Sequence, residues 1–144
     1  MKIVIEEPQD GEEEQITFKC RQMTPEILKA ISLLKAQDAL VAYEGNEIHR
    51  IGQSELYYIE VVDNKTFLYC RNKVLESRQK LYELELSLAN SDFLRISKSV
   101  ILNLSKIQSL SPALNGRLEA SLENGEKIII SRQYVGDLKK RLGI

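Results

Sequence analysis

The side chains best suited to chemistry in this chain are cationic and hydroxylic, and they gather late in the sequence. Arg95, Lys98, Lys106 and Arg132 fall in loops or at element ends, with Ser97, Ser99, Asn103 and Gln133 beside them. Groups of these types suit phosphate oxygens and base edges: Arg or Lys pairs with guanine, Asn or Gln with adenine, and hydroxyls with either. Lys and Arg interleaved with Ser also make an ordinary solvated face, and pattern alone leaves both readings open.

Other chemistries lack their residues. His49 is the single histidine, and its alternating stretch Glu47-Ile48-His49-Arg50-Ile51 reads as a solvent-facing strand. Cys20 and Cys70 are too far apart for zinc spacing and too few for a disulfide framework, so they read as two reduced, partly buried thiols. No GxxxxGK[ST], GxGxxG or GxSxG pattern occurs. Carboxylates are abundant, but spacing does not show the burial that sets two of them apart as acid and base. An enzyme is unsupported, and no metal or cofactor is implied.

The elements that must hold the basic groups are mostly strands. The 144 residues, 43% hydrophobic and 28% charged, fit one ordinary soluble chain. No apolar run approaches the roughly 18 residues of a membrane span and no signal peptide is evident, which points to the cytoplasm. Residues 2–6 and 15–20 alternate like two short strands around the turn Pro8-Gln9-Asp10-Gly11. Thr24-Pro25 starts a helix to about Asp38, with Ile27, Leu28, Ile31 and Leu34 on its apolar face. Strands follow at 40–43, 47–51, 57–62, 66–70 and 74–77, the third and fourth flanking the loop Asp63-Asn64-Lys65. A helix capped by Ser77 carries Leu81, Leu84 and Leu88; 93–96 is extended, and 99–104 is a short apolar run. Asn115-Gly116 and Asn124-Gly125 mark tight hairpins around an alternating Leu118–Leu122. A strand at Lys127–Ser131 then leads to a final helix capped by Ser131, with Val135, Leu138 and Leu142 inward. The expectation is a ββα N-terminal segment (1–39) and a strand-rich domain (40–144).

The formal net charge of −1 conceals an asymmetry. Residues 1–40 carry about −3 and 41–90 about −2, whereas 91–144, with 9 basic and 5 acidic groups, carry about +4.

Three stretches resemble LytTR-type DNA-binding domains. Leu56-Tyr57-Tyr58-Ile59-Glu60 with Val61-Val62-Asp63-Asn64-Lys65 is similar to their "IxYIEA…GN" segment. The run from Phe93 to Asn103, FLRISKSVILN, resembles "FxRxHRSxxVN", and Ile129-Ile130-Ser131-Arg132-Gln133-Tyr134 resembles "PxSRxY". All three stand in family order and spacing over about 100 residues, from Leu40 to Leu142. The resemblance implies a mainly β fold, a LytTR-type stack of small, mostly antiparallel sheets with short helices. It also implies a sequence-specific transcription regulator that puts loops into successive major grooves of double-stranded DNA. Carried over, it assigns DNA contact to the Asp63–Thr66 hairpin (Asn64, Lys65, Thr66), to Lys98 with Ser97 and Ser99, and to Arg132 with Gln133 and Tyr134. Arg95 and Lys106 complete the expected set. Arg132 is the best candidate for a bidentate guanine contact, worth roughly 1–3 kcal/mol of discrimination.

Asn103, Glu60, Tyr57, Tyr58 and Tyr69 read instead as structural residues. Ser97 replaces the family's histidine and Asp63 its loop glycine, which alters which bases are read. The 39 leading residues are too short for a receiver, so the expectation is a stand-alone member. Such members imply a homodimer on paired repeats and a small membrane-protein antagonist, and the N-terminal segment is a candidate for dimerisation or partner binding. The competing reading is a protein-interaction or ligand-sensing β module without DNA binding.

Overall fold

A computed structural model describes residues 1–36, 39–89 and 91–144, and among these described residues are ten strands and three short α-helices. The chain divides into two units, Met1–Leu33 and Leu34–Ile144.

In the first unit the structure departs from the expected ββα. Residues 2–6 and 15–20 form no strand: they enter no ladder, and Ile3, Ile5, Ile16 and Phe18 are exposed. Alternation alone does not make a strand without a partner to take its backbone hydrogen bonds. Cys20 is exposed rather than partly buried. The helix forms as expected, α1 at Pro25–Ala36, and Asp38 lies outside the described residues. Thr24 caps it, its Oγ1 accepting from the Ile27 N–H at 3.3 Å. Ile27 and Ile31 are half-buried, but Leu28 points to solvent.

The second unit holds two antiparallel sheets. The larger comprises β1 (Leu40–Glu44), β2 (Glu47–Ile51), β3 (Leu56–Val62), β4 (Lys65–Cys70), β5 (Val74–Ser77), β6 (Phe93–Arg95) and β7 (Val100–Asn103), in the order β2-β1-β5-β4-β3-β7-β6. Seven strands make it wider than the small sheets expected. The second comprises β8 (Ile107–Pro112), β9 (Leu118–Leu122) and β10 (Lys127–Ile130), in the order β10-β9-β8. Helices α2 (Leu81–Ser87) and α3 (Arg132–Leu142) complete the unit.

The larger sheet is covered on both faces only around β3 and β7, whose side chains divide between two cores; β1, β2 and β5 leave their second face exposed. Leu56, Ile59, Leu68, Leu75 and Ile101 pack with Leu81, Leu84 and Leu88 of the α2 region. Tyr57, Val100 and Leu102 pack with Ala120, Leu122 and Ile130 of the second sheet and Leu138 of α3. Tyr58 and Tyr69 are cross-strand partners stacked at 4.3 Å between centroids.

Three local expectations change. Ser77 ends β5 opposite Thr66, and its Oγ accepts from the Gln79 N–H; Lys80 is the residue at the start of α2. Ser131 stands at the N-cap of α3 without a side-chain cap bond. Leu142 is 39% exposed, because only Leu138 of α3 reaches the core fully.

Candidate nucleic-acid interface

Sheet register decides which basic groups meet. β3 and β7 pair antiparallel, with Glu60 opposite Val100 and Tyr58 opposite Leu102. The end of β3 therefore lies beside the start of β7, and the turn after β3 sits next to the loop before β7.

That turn has two residues. Val62 pairs directly with Lys65, leaving Asp63 (φ 51°) and Asn64 (φ 62°) as the loop, rather than the three residues expected. Two consecutive left-handed residues are the mark of a type I′ hairpin, whose twist matches the strands it joins. Asn and Asp tolerate this backbone better than other non-glycine residues. Asn64 and Lys65 are exposed at its tip.

Loop 96–99 is tied on both sides. The Val61 N–H donates to the Ser99 carbonyl at 2.9 Å, joining it to the β3–β4 hairpin. The Ser131 N–H donates to the Ile96 carbonyl at 2.9 Å, joining it to the head of α3. Within the loop the Ile96 N–H reaches the Val100 carbonyl, and Ser97 Oγ accepts from the Ser99 N–H at 3.2 Å. Lys98 projects into solvent between these anchors, with Ser97 and Ser99 half-buried beside it. Arg132 and Gln133, the first residues of α3, are exposed at the same end. The partial positive charge of a helix N-terminus favours phosphate there. Arg132 has a neighbour not anticipated from the sequence: its stem lies against Gly116, in the loop joining β8 to β9.

Four expected contacts are placed otherwise. Arg95 is a brace: Nε donates to the Ser97 carbonyl at 2.7 Å, a second nitrogen to the Lys98 carbonyl, and a third to Glu85 Oε2 of α2 at 3.1 Å. Thr66 is 6% exposed, because its place in β4 lies on the covered face of the sheet beside the equally buried Ser77. Tyr134 is half-buried against the second core. Lys106 lies at the other end of β7, in the turn Leu104–Lys106. With β3 running seven residues between the two ends, the separation is about 20 Å at roughly 3.3 Å per residue. There Lys106, Arg71 and Lys73 line an open cavity of about 460 Å³ with Tyr57, whose hydroxyl accepts from Arg71. Asn103 is structural: 2% exposed, it donates to the Leu56 and Gln53 carbonyls and accepts from the Ser105 N–H and hydroxyl.

Among the described residues, one cluster offers three metal-type ligands, Glu44, Glu47 and His49. It lies on the exposed β1–β2 hairpin, apart from these loops. No described helix is long and apolar enough to cross a membrane.

The structure thus defines a two-sheet β scaffold that holds polar and basic segments together at one end. Comparison with known proteins makes this specific. Residues 46–143 match the model of the LytTr DNA-binding domain. A Staphylococcus aureus protein named as an HTH-type transcriptional regulator is 34% identical over 118 residues, covering 82% of this chain and 80% of its own length. The sensory transduction protein LytT of Enterococcus faecalis is 28% identical over 138 residues, and the chain spans 57% of that protein's length. A solved LytTr DNA-binding domain from Bacillus cereus superposes with a TM-score of 0.70 at 24% identity, covering 74% of this chain and 98% of its own. The chain belongs to the LytTr DNA-binding domain family. The staphylococcal name invokes a helix-turn-helix, yet α1, α2 and α3 here are separated by strands and no two described helices are consecutive elements.

Proposed function

We propose that this DNA-binding regulator of transcription reads its sites through the loop end of the second unit. The Asp63-Asn64 turn with Lys65, the loop Ser97-Lys98-Ser99, and Arg132-Gln133 at the head of α3 enter successive major grooves on one face of the duplex. Arg132 supplies the bidentate guanine contact, for which its planar fork fits O6 and N7. Lys98 reaches a base or phosphate, and Asn64, Lys65, Ser97 and Ser99 position the backbone. Arg95 holds the middle loop in shape and contacts no base. The observation that carries this reading is the pair of backbone hydrogen bonds, Val61 to Ser99 and Ser131 to Ile96, that ties the three segments together.

A second copy on a paired repeat doubles the contacts, and the exposed apolar residues Ile3, Ile5, Ile16 and Phe18 of the first unit support its use in self-association. The family resemblance also supports a small membrane-protein antagonist and a cytoplasmic site of action.

Selection of random duplexes by the purified chain at moderate salt tests the reading. The expected product is a short motif in two copies, their centres a multiple of about 10–10.5 base pairs apart. A motif in a single copy would contradict the dimer, and no enrichment would contradict sequence-specific reading altogether.

A further inference from the structure

We propose that Gly116 is a positioning residue for base readout, and that its missing side chain is what seats the Arg132 stem. The proposal rests on the reading of Arg132 as a base contact. A Cβ built on Gly116 would stand 2.9 Å from Arg132 Cδ and 3.1 Å from Cγ, closer than carbon atoms pack. One partner must yield, and the two are unequal. The 113–117 loop is closed on itself: the Ala113 N–H donates to the Arg117 carbonyl at 2.9 Å, and Arg117 Nε donates to the Leu114 carbonyl at 3.0 Å. Asn115 (φ 61°) and Gly116 (φ 74°) form its left-handed corner. Arg132, by contrast, is an exposed side chain that can rotate its stem away from a new obstacle. A Cβ at position 116 therefore moves the arginine and leaves the loop in place.

The consequence falls on recognition rather than on the fold. A guanidinium whose stem rests on a fixed backbone enters the groove with part of its rotamer freedom already removed, which lowers the entropy lost on binding. Bidentate pairing with a guanine edge also demands alignment that a point charge on phosphate does not. A displaced Arg132 still attracts DNA but discriminates less between sequences. Asn115-Gly116 is legible from the sequence as a turn, but only the contact with α3 shows what the glycine serves.

The test pairs Gly116→Ala with Gly125→Ala. Gly125 has φ 88° in the next loop of the same sheet, and a Cβ there would meet open space. Both substitutions impose the same left-handed backbone strain, so both lower the thermal midpoint to a similar extent. The ratio of affinity for the selected duplex to affinity for a random duplex separates them. It falls about tenfold, some 1.4 kcal/mol of discrimination, for Gly116→Ala and stays at the wild-type value for Gly125→Ala. Gly116→Asn, which tolerates the backbone but carries a Cβ, loses the ratio as well. In an Arg132→Ala background, Gly116→Ala lowers the ratio no further. If Gly116→Ala keeps the wild-type ratio while Arg132→Ala loses it, the positioning role is overturned and the reading of Arg132 stands. If Arg132→Ala itself keeps the ratio, both are overturned.

Discussion

Arg95 shows how one residue can match a DNA-contact motif and still do its work inside the protein. Three of its donors go to the Ser97 and Lys98 carbonyls and to Glu85. The guanidinium thus shapes the loop that presents Lys98. Lysine keeps the charge but lacks the planar fork that serves several acceptors at once. Arg95→Lys is therefore expected to keep the fold, seen by circular dichroism, and to weaken binding to the selected duplex by about tenfold, seen in equilibrium titration. Wild-type affinity in this variant would show that the brace is dispensable. Residue types were legible in the sequence at this scale; side-chain direction was not. Arg95, Thr66 and Lys106 have the chemistry of DNA contacts, but strand alternation puts Thr66 on the covered face beside Ser77, and the length of β7 carries Lys106 to the far end of the sheet.

At the scale of elements, legibility followed the regularity of the ladder. The hairpins from Leu40 to Ser77 were readable despite the register shift at the start of β3, and so was α2, where Leu81, Leu84 and the following Leu88 reach the core. β8 was not. Its register shifts between Ile107 and Ser109, so Ile107 and Leu110 both turn inward at a spacing of three, where a regular strand requires two or four. Its terminal Pro112 is tolerated because β8 is an edge strand. Residues 2–6 and 15–20 failed in the opposite direction, with alternation but no partner. The partly buried Tyr58–Tyr69 pair is expected to bring a pH dependence. Burial first, and then the Glu126 carboxylate, push the Tyr58 hydroxyl well above its ordinary value; burial and Glu60 do the same to Tyr69. Both phenols hold their protons more tightly folded than unfolded, so their contribution is fully present below about pH 10 and falls as pH rises past it. Urea unfolding between pH 8 and pH 11, to order of magnitude the window around that pKa, is expected to show a smaller alkaline loss of stability in Tyr58→Phe than in wild type. An identical loss in the two would contradict the assignment.

For the whole molecule, the net charge of −1 is a cancellation between an acidic front and a basic final third. Charge total therefore says little about this protein's partner, whereas charge placement says much. Lys65, Lys98, Arg117 and Arg132 stand exposed at the loop end, and Arg71, Lys73 and Lys106 at the other. With the duplex at the loop end, as proposed, these cations displace few counterions, each phosphate contact adding only about −0.9 to the logarithmic salt slope. On that reading, recognition comes from correctly held loops more than from bulk attraction. An NMR titration of the isotope-labelled chain with its selected duplex shows where the duplex sits on the protein. Backbone amide shifts are expected to concentrate at residues 63–65, 97–99 and 131–133, leaving Arg71, Lys73 and Lys106 near their free positions. Shifts centred on Arg71, Lys73 and Lys106, with the three loops unmoved, would contradict it.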